Sequence, residues 1–165
     1  MKYHNITHCD QNNGDGFRVG VWVSGCPHHC VNCQNPETWS EHSGILFDED
    51  AKDEIFSELS LDYIDGITLS GGDPLFLPNR KEIGELIKEI KCKFPNKTVW
   101  MYTGFTWEEI LEMELDFISL LDVIVDGEYV DSLRDISLCW RGSSNQCVVD
   151  VKKSLSTNAK VLYCE

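Results

Sequence analysis

Apolar residues recur at helical spacing in three stretches of the chain. The clearest is about residues 79–93, where they fall at i, i+3, i+4 and i+7 until Pro95 stops the pattern. The same spacing predicts a helix over about residues 49–60. A third helix is predicted to start at Thr106–Glu109, which has the T-x-x-E form of a capping box. The side chains that these helices are expected to bury are Ala51, Ile55, Phe56, Leu59, Ile83, Leu86, Ile87, Ile90, Ile110, Leu111 and Leu115.

Short apolar runs bounded by Gly, Asn and Asp alternate with these helices, and this pattern is typical of strands. Strands are predicted over residues 17–23, 64–70, 98–102 and 122–125, with a final one over 158–163. Alternating strands and helices indicate βαβ units, so we expect an α/β fold with a mainly parallel sheet. The 165 residues contain no linker or repeat, which predicts a single domain, 1–165, with residues 147–165 as a variable C-terminal extension.

Four segments that resemble functional motifs each follow a predicted strand. They are Cys26–Cys33, Gly71–Asp73, Tyr102–Gly104 and Asp126–Gly127. The carboxyl ends of parallel strands meet at one edge of a sheet or barrel, and ligand sites collect there. The sequence therefore predicts that the four segments converge on one site.

Charge and hydropathy narrow the function classes. The chain has 14 Lys and Arg against 28 Asp and Glu, a formal net charge of −14, which argues against binding to a nucleic-acid backbone. No run of 18 apolar residues predicts a membrane span, and the first residues lack the apolar segment of a signal peptide. A cytoplasmic location is the expectation.

Of eight cysteines, only Cys26, Cys30 and Cys33 are clustered, at C-x3-C-x2-C spacing. Three thiolates in one short loop can hold three corners of an iron–sulfur cluster or three positions of a zinc ion. His28 or His29 could complete a zinc site, although we expect both to line the loop without binding. The spacing favours the cluster and leaves zinc open. The remaining cysteines are expected to be free thiols: Cys9, Cys92, Cys139, Cys147 and Cys164.

A set of motifs in this order resembles a known family. It comprises Asn13–Gly16, Val23–Cys33, Asn35–Trp39, Leu69–Leu75, Tyr102–Gly104, Val125–Gly127 and Trp140–Gln146. The cysteine spacing and the Gly-Gly motif resemble those of radical S-adenosylmethionine (SAM) enzymes. The full set is similar to the small activating enzymes of anaerobic ribonucleotide reductase, and it extends to about residue 146.

The resemblance implies a fold and a site. The fold would be an incomplete (β/α) barrel of the radical SAM type, open along one side. Cys26, Cys30 and Cys33 would hold one [4Fe–4S] cluster, whose open iron takes the methionine part of SAM. The residues implied to contact SAM are Asn32, Cys33, Gln34, Gly71, Gly72 and Asp73, with Asp126 as a weaker candidate. Many relatives have an aromatic residue where this chain has Gln34.

The resemblance also implies an activity. The reduced cluster would cleave SAM to methionine and a 5′-deoxyadenosyl radical, which takes hydrogen from a glycine of the reductase's large subunit and leaves a glycyl radical. No catalytic residue beyond the cluster and SAM is implied. The electron would come from flavodoxin or ferredoxin, and Trp140–Gln146 would help to receive the glycine loop. Two alternatives stay open: activation of another glycyl-radical enzyme such as pyruvate formate-lyase, and a zinc-stabilised binding module without chemistry.

Overall fold

A computed structural model describes residues 1–164 as one eight-stranded sheet with four α-helices. The strands are β1 (Lys2–Asp10), β2 (Arg18–Val23), β3 (Ile45–Leu46), β4 (Gly66–Gly71), β5 (Thr98–Tyr102), β6 (Val123–Asp126), β7 (Cys147–Asp150) and β8 (Leu162–Cys164). The helices are α1 (Glu49–Leu59), α2 (Arg80–Lys93), α3 (Trp107–Glu112) and α4 (Val151–Thr157). Short 3-10 turns lie at Pro36–Thr38, Ile118–Leu120 and Asp131–Leu133. Within residues 1–164, no helix has both the length and the apolar character needed to cross a membrane.

The strands lie in the order β3-β1-β2-β4-β5-β6-β7-β8. The central four, β2, β4, β5 and β6, are parallel, as the alternation of strands and helices predicts. The flanking strands β1 and β3 on one side, and β7 and β8 on the other, pair antiparallel. The prediction of a mainly parallel sheet is therefore wrong at both flanks. In the described part of the chain β3 and β8 are the two edges, so the sheet is not a closed barrel.

Alternation along the central strands divides the sheet into two faces. One face is buried with α1, α2 and α3 in the main core, to which β2 contributes Val19, Val21 and Val23. The opposite face carries a smaller apolar cluster of Trp100, Val123, Val125 and Val148, which the half-buried Trp140 joins. The helices thus cover one face and leave the other to loops.

The elements that the sequence missed have weak local patterns. β1 contains two register irregularities against β2, and these break the two-residue alternation that identifies a strand. The predicted strand over 158–163 is reduced to β8, because α4 and a left-handed Asn158 (φ 51°) precede it. The capping box at Thr106 is confirmed, but α3 has only six residues and leaves Leu111 exposed.

A disulfide joins Cys139 to Cys164, so the prediction of free thiols at these two positions is wrong. β8 pairs with β7, where Cys164 lies opposite Val148, and this pairing brings the chain end back to the loop that contains Cys139. Sequence separation of 25 residues hides this approach from local analysis. Cys9, Cys92 and Cys147 are free, as expected.

Candidate functional site

One small cavity, of about 130 Å³, lies at the carboxyl ends of the parallel strands. The three clustered cysteines line it together with the Gly-Gly-Asp segment that follows β4. Thr103 and Gly104 after β5 and Gly127 after β6 complete its wall. The structure therefore brings residues from all four predicted segments together, because the four central strands run in the same direction.

The cysteine loop is tightly wound. His29 and Asn32 have left-handed backbones (φ 51° and 56°), and the Cys33 N–H donates to the Cys30 carbonyl over 3.1 Å. All three thiols are free and half-buried. Their exposure to one cavity, with no disulfide among them, leaves three sulfur donors for one group.

Burial raises the pKa of two of these thiols, Cys26 and Cys30. It raises the pKa of Cys26 to about 11, although hydrogen bonds from the backbone N–H groups of His28 and His29 partly offset the effect. Burial also raises the pKa of Cys30, although a hydrogen bond from the Tyr129 backbone N–H partly offsets the effect. A cation is therefore needed to favour the thiolates, and binding it releases protons.

The donor set fits a cluster better than one zinc ion. Within residues 1–164, no three His, Cys, Asp or Glu side chains are grouped so that they could hold a single metal ion. Both ring nitrogens of His28 are already paired, with Asp73 (2.9 Å) and Glu128 (2.8 Å), and the His29 ring packs on Trp39. A cubane cluster is larger than one ion, so it suits thiols that stand further apart.

The two glycines after β4 allow a close approach between backbones. Gly71 has a φ of +105°, and a Cβ on Gly72 would lie 2.4 Å from the Gly25 carbonyl oxygen. The Gly72 N–H donates to the Val23 carbonyl, and the Asp73 N–H donates to the Gly25 carbonyl, each over 2.7 Å. Gly71–Asp73 thus forms a narrow shelf beside the cysteine loop, where a side chain on either glycine would be strained or would clash.

Asp73 is the last residue of this shelf and is fully buried. Its carboxylate accepts hydrogen bonds from the Leu75 N–H (2.8 Å), the Thr103 hydroxyl (2.9 Å) and the Gly104 N–H (2.9 Å), and it pairs with His28. Burial alone would lower the pKa of His28, but hydrogen bonds to Asp73 and Glu128 raise it overall. Asp73 therefore joins the loops around the cavity, a role separate from the ligand contact that the sequence predicts.

Comparison with known proteins agrees with this geometry. A family model described as "4Fe-4S single cluster domain" matches residues 12–149. A protein of Enterobacteria phage T4 is 44% identical over 146 residues, which cover 88% of this chain and 92% of the relative. Relatives from Escherichia coli K12 (41% identical) and Vibrio cholerae (37%) each align over 90% of this chain and 97% of their own. All three are named anaerobic ribonucleoside-triphosphate reductase-activating protein.

The chain belongs to this family of activating proteins. The family model spans the cysteine loop, the glycine shelf and the loop after β6, so the cavity lies wholly within the matched region. It also supports an iron–sulfur cluster in this chain.

Three residues that the sequence predicts as SAM contacts do not line the cavity that holds the three thiols. The exposed Asn32 donates to Asp131 over 2.9 Å. Gln34 lines an adjoining groove with Trp140 and Arg141. The buried Asp126 accepts from the Trp107 N–H (2.8 Å) and the Cys147 N–H (2.9 Å).

Asp126 also pairs with Lys160 over 2.6 Å, and its carboxylate caps the first turn of α3. These contacts account for its burial without a ligand. The SAM contacts of Asn32, Gln34 and Asp126 stay predictions.

Sequence reasoning missed two long-range contacts around this cavity. His28 meets Glu128 across 100 residues of chain, and the Gln146 side chain donates to the Gly127 carbonyl over 2.9 Å. Neither pair has a local spacing signal. His28, Gly127 and Gln146 lie in motifs that the family resemblance included, whereas Glu128 lies directly after one of them.

Proposed function

We propose that this chain activates anaerobic ribonucleotide reductase as a radical SAM enzyme. The observation that carries the proposal is the shared cavity, in which three free, half-buried thiols face the Gly71–Asp73 shelf. The relatives' name supplies the partner, the anaerobic reductase, and the family model supports the cluster. The large subunit of the reductase is the target that the family resemblance implies.

Cys26, Cys30 and Cys33 would hold the [4Fe–4S] cluster, and the donor set leaves one iron without a protein ligand. When bound and reduced, the cluster supplies the one-electron cleavage of SAM to methionine and a 5′-deoxyadenosyl radical, and the hydrogen then comes from a glycine of the reductase. We take flavodoxin or ferredoxin as the electron donor, by family resemblance.

The chain's own residues would bind and orient these groups. Backbone N–H groups of His28, His29 and Tyr129 point to two of the sulfurs and stabilise them as thiolates. Backbone carbonyl groups of Gly71–Asp73 would accept hydrogen bonds from the SAM ammonium group. Asn32, Cys33 and Gln34 would contact the rest of SAM. Asp126 stays a weaker candidate for this binding set, because its carboxylate already accepts from the Trp107 N–H and pairs with Lys160.

We further propose that the sheet is the incomplete (β/α) barrel of radical SAM enzymes. Four central parallel strands with their carboxyl ends at the cavity support this interpretation, as does the face that helices leave uncovered. The uncovered face would let the reductase's glycine loop reach the cavity, with Trp140–Gln146 at its entrance. A cytoplasmic location and the single-domain organisation of 1–165 stay predictions.

The test is anaerobic iron–sulfur reconstitution followed by incubation with SAM and a low-potential reductant. Wild-type protein should be brown and release 5′-deoxyadenosine, and adding the reductase should give a glycyl-radical EPR signal. Cys30→Ser should lose most of its iron and the cleavage activity. Cys92→Ser removes an exposed free thiol and serves as the matched control; it should behave as wild type.

Each alternative has its own outcome in this experiment. A colourless protein that retains zinc would establish a binding module instead of an enzyme. A glycyl radical on pyruvate formate-lyase, with none on the reductase, would reassign the partner. Full cleavage by Cys30→Ser would overturn the ligand assignment.

A further inference from the structure

His28 contacts the loops at the ends of all four parallel strands. It belongs to the cysteine loop after β2, and its Nε2 lies 2.9 Å from Asp73 Oδ2 in the loop after β4. Its Nδ1 lies 2.8 Å from Glu128 Oε1 in the loop after β6. Its ring meets the Phe105 ring, in the loop after β5, at 4.6 Å between centroids. One side chain therefore links every loop that surrounds the cavity.

Packing fixes this ring in place. The His28 side chain is only 9% exposed. A Cβ on Gly104 would lie 2.4 Å from His28 Cδ2, so only glycine leaves room for the imidazole there. Because the ring is held on its edge by Gly104 and on both nitrogens by carboxylates, its position is set by contacts outside the cysteine loop.

The contact with Asp73 couples the cysteine loop to the glycine shelf. The Asp73 backbone N–H donates to Gly25, just before the first cysteine, and its side chain meets His28, two residues after it. These two attachments lie on either side of Cys26. They fix where the shelf stands relative to the thiols.

We propose that His28 is a positioning residue that holds the Gly71–Asp73 shelf at the correct place beside the cluster ligands, and thereby sets the affinity for SAM without binding iron. The inference rests on the proposed function and deepens it. A ligand that spans the open iron and the shelf binds tightly only if both parts are held at a fixed separation, since any freedom between them must be lost on binding.

Removing His28 should leave a folded protein. Asp73 keeps three protein donors, from Leu75, Thr103 and Gly104, so no bare carboxylate is left buried. The three thiols and their backbone N–H donors do not depend on the imidazole. Loss of the link should therefore change SAM binding separately from iron binding.

Amide substitutions separate the two sides of the ring. The Gln amide nitrogen reaches the place of Nε2, on the Asp73 side, whereas the Asn amide reaches the place of Nδ1, on the Glu128 side. We expect His28→Asn to weaken SAM binding about tenfold, and His28→Gln to stay within about threefold of wild type. The control is His42→Asn, at an exposed histidine outside the cysteine loop; it should bind SAM as wild type does.

Three measurements are needed for each reconstituted variant: iron per chain, the SAM dissociation constant by equilibrium dialysis, and the unfolding midpoint of the cluster-free protein. The proposal requires that His28→Asn keep its iron content and its unfolding midpoint while its affinity for SAM falls. It also requires that His28→Gln bind SAM nearly as tightly as wild type. Unchanged affinity in His28→Asn would overturn the proposal. So would a parallel loss of iron, which would make His28 a ligand or a scaffold residue. If wild-type protein loads its cluster but fails to bind SAM, the proposed function falls, and this inference with it.

Discussion

Arg18 is fully buried at the start of β2, and its guanidinium is satisfied by neutral oxygens. It donates to the hydroxyls of Thr68 (2.7 Å) and Thr98 (2.9 Å) and to the carbonyls of Ile67 (2.7 Å) and Asp15 (3.0 Å). Burial lowers the pKa of Arg18 to about 10, so the side chain keeps its charge at neutral pH. Its planar fork joins β2, β4 and β5 at the end of the sheet opposite the site.

Arg18→Lys should therefore cost about 3 kcal/mol of unfolding free energy, because an ammonium group cannot reach all of these acceptors. Urea unfolding of the cluster-free protein at pH 7 measures the change. The matched control is Arg134→Lys at an exposed position, which should stay within about 0.5 kcal/mol of wild type. Equal stability of Arg18→Lys and wild type would contradict this account of the fork.

At the scale of residues, the sequence predicted correctly many of the residues that line the cavity. It predicted less well which other residues they contact. The three cysteines and the glycine pair line one cavity, as the strand-end rule predicts. The sequence could not show that the Asp73 carboxylate is shared among loops, because its donors at Thr103 and Gly104 are 30 and 31 residues away. Such polar networks depend on the final packing.

Among the secondary-structure elements, the helices α2 and α4 meet at Asp122, just before β6. Its carboxylate accepts from Lys91 at the end of α2 (2.7 Å) and from the Val99 N–H in β5 (2.8 Å), and it pairs with Lys152 of α4. Burial alone would raise the pKa of Asp122, but the hydrogen bonds from Lys152, Lys91 and Val99 lower it overall. One carboxylate thus ties two helices, α2 and α4, to the sheet at β5.

Asp122→Asn should destabilise the protein by about 2 kcal/mol at pH 7. A carboxyl whose folded pKa is lowered stabilises the fold above its unfolded pKa, about 3.9, and loses that contribution as the pH falls through the folded value. The difference between wild type and Asp122→Asn should therefore shrink below about pH 4.

Urea unfolding at pH 7, 5, 4 and 3 follows this difference. Asp62→Asn, at an exposed position, is the control and should show little difference at any pH. A constant gap between wild type and Asp122→Asn across the series would show that the amide alters packing instead of removing a charge.

Helix prediction succeeded where apolar spacing was uninterrupted. α2 spans Arg80–Lys93 against a predicted 79–93, and α1 spans Glu49–Leu59 against 49–60. Strand prediction failed at the antiparallel flanks of the sheet, as in the irregular β1 and in β7. The neighbouring strands stabilise these elements, and a single sequence does not show those neighbours.

Across the whole molecule, the chain end folds back towards the face that helices leave uncovered. Tyr163 packs against Trp100 at 5.2 Å between ring centroids, and Trp140 donates from Nε1 to Asp15 over 3.0 Å. Tyr163 also pairs with Asp15, and the Cys139–Cys164 disulfide closes this arrangement. The last strand therefore braces the segment that begins at Trp140, beside the groove lined by Gln34.

Cys139→Ser should lower the stability of the oxidised, cluster-free protein by about 3 kcal/mol, since the bridge closes a loop across a sequence separation of 25 residues. Thermal unfolding with and without dithiothreitol measures the effect. Wild type should fall to the midpoint of Cys139→Ser once reduced, while Cys92→Ser should match wild type in both conditions. If the wild-type unfolding midpoint were the same with and without dithiothreitol, the disulfide would have no stabilising role.

The disulfide and the cysteine site need opposite redox conditions while the protein is prepared. Iron loading needs reduced thiols at Cys26, Cys30 and Cys33, whereas Cys139 and Cys164 stay joined only while no dithiol exchanges with them. A reductant added at the start of a purification therefore determines whether the Cys139–Cys164 disulfide is closed or open in the sample. A thiol count with an alkylating reagent tells them apart in denatured, cluster-free protein: six reactive sulfurs per chain when the bridge is closed, and all eight when it is open.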